Sequence, residues 1–441
     1  MKATLGAQWP EFESAHAMPA PVSLRLNPQK ASKPPATTER IPWTSHGYYL
    51  PERPVFTLDP LFHAGCYYVQ EASSMFVEQF FKQYLEGLRS LKVLDLCAAP
   101  GGKSTHLLSL MAPDSLLVTN EVIRSRVSIL SENIQKWGYP NAVVTNNDPA
   151  DFSRIRGFFD VILVDAPCSG EGLFRKDPSA MEEWSEANVA ICSQRQQRII
   201  DDIWPCLKED GILIYCTCTY SSEEDEDTLK RIAGTYNVEF LSVDKGNVGI
   251  EEISSGSSIG YRFYPHKVAG EGFFVSAMRK KETEQSVSLR TSKPGFAAPQ
   301  KKHSEEINNW LNDASLRLIQ RDDLIQGIPD QWAPAVEWLS QRLRLVYAGT
   351  FLTTVKQNRM VPEHSLALST LINTGHFHCT ELSYDDALAY LRKEVFNPSG
   401  DYKGFSLATY NGVPMGWMNL LGGRMNNLYP SEWRIRMKGN G

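Results

Sequence analysis

Between residues 92 and 216 the chain alternates short, almost wholly apolar runs with stretches of helical periodicity, and this alternation leaves few folds open. The runs are Lys92 to Leu96, Ser115 to Thr119, Ala142 to Thr145, Phe159 to Val164 and Gly211 to Cys216. They lack the strict apolar–polar alternation of a sheet with one wet face, so they read as strands covered on both sides. Between them, Gly102 to Met111 and Arg124 to Trp137 read as helices, the second with Val127, Leu130 and Ile134 spaced along one face. Strand and helix in turn argue an α/β fold built on a doubly wound parallel sheet.

The chain is 441 residues long, more than one hydrophobic core usually holds, so several units are expected. Residues 1–60 carry ten prolines and one compact positive stretch, Ser23-Leu24-Arg25-Leu26-Asn27-Pro28-Gln29-Lys30, which reads as an accessory segment. A helix-like run from Ser73 to Leu88 opens the next unit, and Gly272 to Met278 closes it. The polar stretch that follows reads as a linker. The expected division is 1–60, 61–281, a linker at 282–304, a middle domain at 305–373 with a helix near Trp332 to Leu343, and a final domain at 374–441. The net charge of −6 excludes a uniformly basic surface, but residues 401–441 hold five Lys and Arg (Lys403, Arg424, Arg434, Arg436, Lys438) against two acids. A phosphate backbone could dock on that tail. Eight cysteines without a disulfide or zinc spacing point to free thiols in a reducing compartment. With no leader pattern and no long apolar run, a cytoplasmic protein away from membranes is expected.

The first strand runs into Cys97-Ala98-Ala99-Pro100-Gly101-Gly102-Lys103 and then a helix, so small residues lie where backbone can approach a ligand beside a helix N-terminus. Gly102-Lys103-Ser104 copies the end of a P-loop, but that motif needs glycine at position 97, where this chain has Cys97. A dinucleotide or nucleoside-triphosphate site is therefore disfavoured, and a single nucleoside-like ligand fits better. Glu121, 19 residues past Gly102, follows the second strand where a carboxylate can accept both ribose hydroxyls. Asp148 follows the third strand, where it could take an adenine amino group, and Asp165 ends the fourth. Carboxylates at successive strand ends converge on one crevice.

Asp165-Ala166-Pro167-Cys168-Ser169-Gly170 and Tyr215-Cys216-Thr217-Cys218-Thr219-Tyr220 each follow an apolar strand, which puts two thiols at the same sheet edge. A lone cysteine is usually a small buried hydrophobe; two at strand ends beside a nucleotide crevice point to chemistry. Ser222 is expected to cap a helix whose first turn holds Glu223, Glu224 and Asp225, leaving those acids a structural role. Cys216 and Cys218, two apart, lack the further ligands a metal would need, and no metal is expected. His266 is as readily a turn residue as a site residue.

These motifs resemble the Sun-type RNA (cytosine-5) methyltransferases over roughly residues 20–280. The carriers are Leu94 to Lys103, Asp165 to Gly172, Thr217-Cys218-Thr219 and Gly272-Phe273-Phe274, with Ser23 to Asn27 similar to the family's N-terminal RNA-side motif. Gly416-Trp417 and Asn427-Leu428-Tyr429-Pro430 are similar to the bacterial branch that methylates small-subunit ribosomal RNA and ends in a PUA-like domain. The chain departs from the pattern at Glu224-Asp225-Glu226, where many members carry Glu-Asn-Glu.

The resemblance implies a Rossmann-like methyltransferase sheet, an N-terminal RNA-binding extension, and mixed α/β and PUA-like C-terminal domains. It implies S-adenosylmethionine held by Cys97, Ala98, Ala99, Pro100, Gly101, Gly102 and Lys103 with Glu121, Arg126, Asp148 and Asp165. The implied partner is RNA, above all 16S ribosomal RNA or the small ribosomal subunit, met by a monomer. Carbon 5 of cytosine is a poor nucleophile, and a thiolate attacking C6 turns it into an enamine carbon that can take a methyl group. The residues alone leave open which cysteine attacks, since DNA cytosine methyltransferases use a Pro-Cys cysteine. The family pattern assigns attack to Cys218, release to Cys168, and a hydrogen bond near cytosine N3 to Asp165, while Lys103 as a nearby cation would lower a thiol pKa. The target base must be flipped out or single-stranded. The rival readings are a tRNA cytosine-5 methyltransferase, a non-catalytic rRNA-binding assembly factor, and a DNA methyltransferase, the last disfavoured by only 50 residues between the two cysteines.

Overall fold

The computed structural model describes residues 1–30, 38–284, 296–312, 315–357, 359–398, 401–422 and 424–437. Lys438 of the basic tail and residues 285–295 of the expected linker lie outside them.

After two short helices, Lys2–Leu5 and Trp9–His16, come four antiparallel strands, β1 (Val22–Leu26), β2 (Glu39–Arg40), β3 (Gly47–Leu50) and β4 (Tyr67–Val69), in the order β2-β3-β1-β4. The parallel strands follow as β5 (Lys92–Asp95), β6 (Leu116–Asn120), β7 (Ala142–Thr145), β8 (Phe159–Asp165) and β9 (Leu207–Thr217). Then come β10 (Val238–Phe240), β11 (Glu251–Ser255), β12 (Ser258–Phe263) and β13 (Phe273–Lys280). The central sheet runs β11-β12-β13-β9-β8-β5-β6-β7 and ends on the strand Leu345–Ala348, with β10 on β13. From β9 to β7 the pairing is parallel, and β13 returns antiparallel on β9. The chain order reverses between β5 and β8, which makes the carboxyl ends of those strands the place for a ligand.

The apolar runs are covered on both faces. Val93, Leu117, Val144, Leu163 and Ile214 pack on one side with Phe76, Leu130 and Trp137. Leu94, Val118, Ile162 and Leu213 pack on the other with Ile199, Ile203 and Trp338. The helix Arg124–Trp137 buries Val127, Leu130, Ile134 and Trp137 as its spacing requires.

Four expectations from sequence change. The positive stretch at 23–30, read as accessory rather than core, is built into the interior, because β1 is paired on both edges and Arg25 is wholly buried. The Arg25 guanidinium donates to Thr105 Oγ1 at 2.6 Å and Gln70 Oε1 at 2.9 Å and lies 4.5 Å from the Trp137 ring centre. The Lys30 ammonium donates to the carbonyls of Ala64 and Lys136, and burial lowers its pKa to about 7. The stretch read as a linker is structured from Phe296, with a helix at Lys301–Asn309, because Phe296 finds apolar cover against the core. Ser222 caps no helix: the helix begins at Glu226, and Glu224 and Asp225 are buried in hydrogen bonds of their own. The helix near Trp332 spans Ala333–Ser340, and the strand after it, Leu345–Ala348, extends the central sheet along β7.

Four further strands follow in a sheet between Leu316 and Pro362, and four more between His378 and Asn427. The last sheet shares one apolar cluster with the first: Leu24, Leu26, Phe56 and Tyr67 pack with Leu388, Met418 and Tyr429. Among the described residues no helix is long and apolar enough to cross a membrane.

Candidate active site

The loop after β5 is fixed by its neighbours before any ligand enters. Leu96 and Ala98 donate their amides to the Leu163 and Asn120 carbonyls at 3.0 and 2.8 Å. Arg126 Nη2 donates to Ala99 O at 2.7 Å and Asn133 Nδ2 to Pro100 O at 2.8 Å. Gly101 turns the chain into the helix Gly102–Leu110 at φ 115°, a conformation a side chain would strain, and Gly102 and Lys103 at the start of that helix border the crevice.

That crevice is a cavity of about 980 Å³. Its wall carries Cys97, Ala98, Ala99, Pro100, Gly102, Lys103, Glu121, Arg126, Asp148, Asp165, Cys168 and Cys218. Of the site residues read from sequence, Gly101 alone is off the wall, turned toward Leu130 and Asn133. Glu121 is almost buried, accepts from the Ile123 amide at 2.8 Å, and has Arg126 at 3.4 Å. Asp148 is half-exposed, caps the 3-10 turn Pro149–Arg154 through the Ala150 amide, and pairs with Arg198 at 3.3 Å. His266 is elsewhere, against Gln8 and Phe12.

The two cysteines meet. Cys168 Sγ lies 2.9 Å from Cys218 Sγ, and the Cys218 amide donates to Cys168 Sγ at 3.3 Å. Contact with Cys218, burial and the nearby Glu224 all push the Cys168 thiol pKa well up, so Cys168 keeps its proton and can donate it. Cys216 faces the apolar core, and Cys218, just past the end of β9, faces the cavity; the pair does not share a face. Among the described residues no group of His, Cys, Asp and Glu is arranged to hold a metal.

A ladder of contacts binds the two cysteine loops. Ser169 Oγ meets Thr219 Oγ1 at 2.9 Å, Gly172 N donates to Cys218 O at 2.8 Å, and Tyr220 N donates to Glu171 Oε2 at 3.1 Å. A Cβ on Gly172 would sit 2.4 Å from Gly272 O and 2.8 Å from Cys218 O, so only glycine allows this approach. Behind it, buried Gln196 donates to Pro167 O at 3.0 Å and Glu224 Oε2 at 2.7 Å, and Glu224 accepts from the Ser169 amide. Glu224 therefore ties the Cys168 loop to the segment after Cys218 instead of standing in the first turn of a helix.

Lys103 Nζ is taken by Asp165 at 2.8 Å and lies 5.1 Å from the Phe273 ring centre. Burial works against its charge, but Asp165 and its neighbours outweigh that and raise its pKa. Among the described residues no hydrogen bond joins Lys103 to either thiol.

Asp95 is the residue sequence reading missed. It ends β5 as Asp165 ends β8, so the strand-end criterion would have found it. It is wholly buried on the cavity wall, accepts from Ser104 Oγ at 2.6 Å through Oδ2, and leaves Oδ1 unpartnered. Burial raises its pKa to about 7. The folded protein thus holds a proton that the unfolded chain releases near pH 4, and stability falls as pH climbs through that window. Asp95→Asn should remove a slope of up to about 1.4 kcal/mol per pH unit. Urea unfolding from pH 4.5 to 7.5 checks this, and parallel curves for the two proteins would rule the assignment out. Tyr68, Gln70 and Glu71, brought by the N-terminal sheet, also line the cavity, with no motif to mark them in the sequence.

Three family models match: 16S rRNA methyltransferase RsmB/F over residues 83–279, the N-terminal domain of 16S rRNA methyltransferase RsmF over 1–72, and the methyltransferase RsmF PUA domain over 377–435. The ribosomal RNA small subunit methyltransferase F of Vibrio parahaemolyticus is 32% identical, across 96% of this chain and 93% of its own. That of Escherichia coli O157:H7 is 30% identical, across 96% and 92%. Among solved structures, a methyltransferase homolog from Pyrococcus horikoshii is 28% identical with a TM-score of 0.54, covering 62% of this chain and 91% of its own. NSun6 from the same organism, at 19% identity and a TM-score of 0.53 over 64% of this chain and 96% of its own, shares the fold. The three models match the N-terminal, central and C-terminal parts of the chain, the relatives align along almost all of it, and the chain belongs to the ribosomal RNA small subunit methyltransferase F family.

Proposed function

We propose that this protein methylates C5 of a cytosine in 16S ribosomal RNA, using S-adenosylmethionine, with Cys218 attacking C6 and Cys168 assisting release. The observation that carries the reading is the 2.9 Å contact of two thiols from adjacent strand ends, inside the cavity that the glycine turn opens.

The residues present suit the cofactor. Asp95 and Glu121 offer carboxylates, and the loop 97–103 offers a helix N-terminus at a switch point of the sheet. Asp148 would receive the adenine amino group, and Arg126 would fix the loop. When bound, the cofactor supplies an electrophilic methyl group to the activated base. The protein's own part is to form the Cys218 S–C6 bond, which makes C5 nucleophilic, and to let that bond break once the C5 proton has left. Asp165, held by Lys103, would accept a hydrogen bond from a cytosine protonated at N3, the form in which C6 is the more electrophilic. Cys168, a protonated thiol in contact with Cys218, is placed to protonate sulfur or to relay the proton as the adduct breaks down.

The proposed division of the chain is 1–60, 61–281, 296–373 and 374–441, the middle unit opening at Phe296 rather than at 305, in a protein acting as a monomer in the cytoplasm. The N-terminal and C-terminal regions serve RNA. Because they share an apolar cluster, truncation near Lys281 would strip cover from Phe56 and Tyr67, so charge substitutions are the cleaner test. Exposed Lys403 and Arg424 lie close together, at the start of one strand and in the turn after its partner. The double substitution Lys403→Ala/Arg424→Ala should weaken RNA binding several-fold and lower the salt slope by about 1 to 2. An unchanged slope would remove this edge from the interface.

Glu121→Ala should weaken S-adenosylmethionine by about 10- to 150-fold, the cost of losing hydroxyl contacts to a carboxylate. Calorimetry reads it directly, and equal affinity would take Glu121 out of the site. The function itself is tested by methyl transfer to 16S rRNA, to 30S subunits and to tRNA, followed by nucleoside analysis. 5-Methylcytosine in the first or second substrate supports the reading, the same product in tRNA alone replaces the substrate, and no product in any of them would overturn the activity.

A further inference from the structure

Among the described residues five cations line the catalytic cavity, and three of them are matched. Lys103 is paired with Asp165, Arg126 with Glu121 and Arg198 with Asp148. Lys176 and Arg195 are exposed, and among the described residues neither side chain has an ion pair or hydrogen bond. A cation beside a carboxylate has its field largely cancelled, whereas an unmatched one is available to a polyanion.

Both unmatched cations stand on backbone fixed relative to Cys168. Lys176 directly follows Arg175, whose guanidinium is buried against Glu271 at 2.9 Å and donates to Gly270 O at 2.8 Å. The turn before it is pinned by Glu171, which accepts from Trp184 Nε1 at 2.8 Å and from the Tyr220 amide. Arg195 lies on the helix Glu186–Ile203 next to Gln196, and Gln196 bonds the carbonyl of Pro167, the residue before Cys168. Leu173, 40% exposed, lines the same cavity and adds apolar surface.

A base entering this cavity brings its two flanking phosphates only as far as hydrated surface, and Lys176 and Arg195 are exposed residues that also line the cavity. We infer that Lys176 and Arg195 hold the phosphodiesters on either side of the target cytidine, so that the single-stranded RNA crosses the cavity over Cys168. The inference rests on the RNA-methyltransferase reading and specifies where that substrate's backbone is held. Contacts of this kind set register without reading sequence.

The test uses the full chain, with 16S rRNA transcribed in vitro as the probe and filter retention as the readout, so it does not depend on turnover. Lys176→Ala and Arg195→Ala should each weaken binding roughly three- to tenfold. Each should also lower the slope of log affinity against log salt by about 0.7, and the double variant by about 1.4. Lys176→Arg should retain binding, and S-adenosylmethionine affinity should stay unchanged in all of them. Unaltered affinity and slope in the double variant would overturn the inference. So would an equal loss in Arg154→Ala, an exposed charge off the cavity wall whose side chain has no ion pair among the described residues, because the effect would then be a general field rather than a contact. Methyl transfer by the unaltered protein to the same RNA decides the underlying function separately.

Discussion

Cys218→Ala should abolish methyl transfer to RNA, by on the order of 10⁴-fold or more in kcat, and should leave no covalent protein–RNA species. Cys168→Ala should instead permit attack and one methyl transfer but slow the breaking of the S–C6 bond. An adduct that survives denaturing electrophoresis should therefore accumulate in that variant. The sulfurs are 2.9 Å apart, and contact with Cys218 and burial push the Cys168 thiol pKa up, which suits a proton donor. Reversed roles would give the adduct with Cys218→Ala and none with Cys168→Ala. Denaturing gels with labelled 16S rRNA and S-adenosylmethionine separate these outcomes. Intact methylation in both variants would sink covalent catalysis for this protein.

The second large effect lies behind the site. Arg262, 4% exposed, pairs with Asp225 and Glu226 at 2.8 Å each and stacks over Phe274. Asp225, wholly buried, also accepts from Thr217 Oγ1 at 2.6 Å, one residue before Cys218. Arg262→Ala leaves that carboxylate buried without its counter-charge, and removing one member of such a pair costs about 3 to 5 kcal/mol. Asp225→Asn, the amide that many members of the family carry here, removes the charge left behind and should restore a large part of the loss in the double variant. Chemical denaturation of the two single variants and the double variant measures the coupling. Additive losses would mean that the pair is not the reason for the instability.

The parallel sheet was legible because strands buried on both faces must be apolar throughout, and β5, β7 and β8 lie within a residue of where the runs place them. The crevice was legible because strand ends, a glycine turn and helix starts are local features. Glu121, Asp165, Cys168 and Cys218 were found on that basis, and all four line one cavity. The charged stretch at 23–30 misled because charge in a sequence carries no sign of burial. Arg25 goes inside through carbonyls and hydroxyls contributed 77 to 84 residues away.

What the sequence by itself determined was the parallel sheet, the ligand turn and the identity of the chemical groups at the strand ends. All of these follow from patterns a few residues long, in which hydrophobic burial and backbone geometry act locally. Only the tertiary structure decided that the two thiols touch, that Glu224 and Gln196 lock their loops, that Asp95 is buried with one oxygen unpartnered, and that Leu345–Ala348 completes the central sheet. It also decided that the first and last sheets share a core. The reason is the range of the forces: these contacts join residues tens to hundreds of positions apart, and their strength depends on desolvation that exists only once the chain has closed around them.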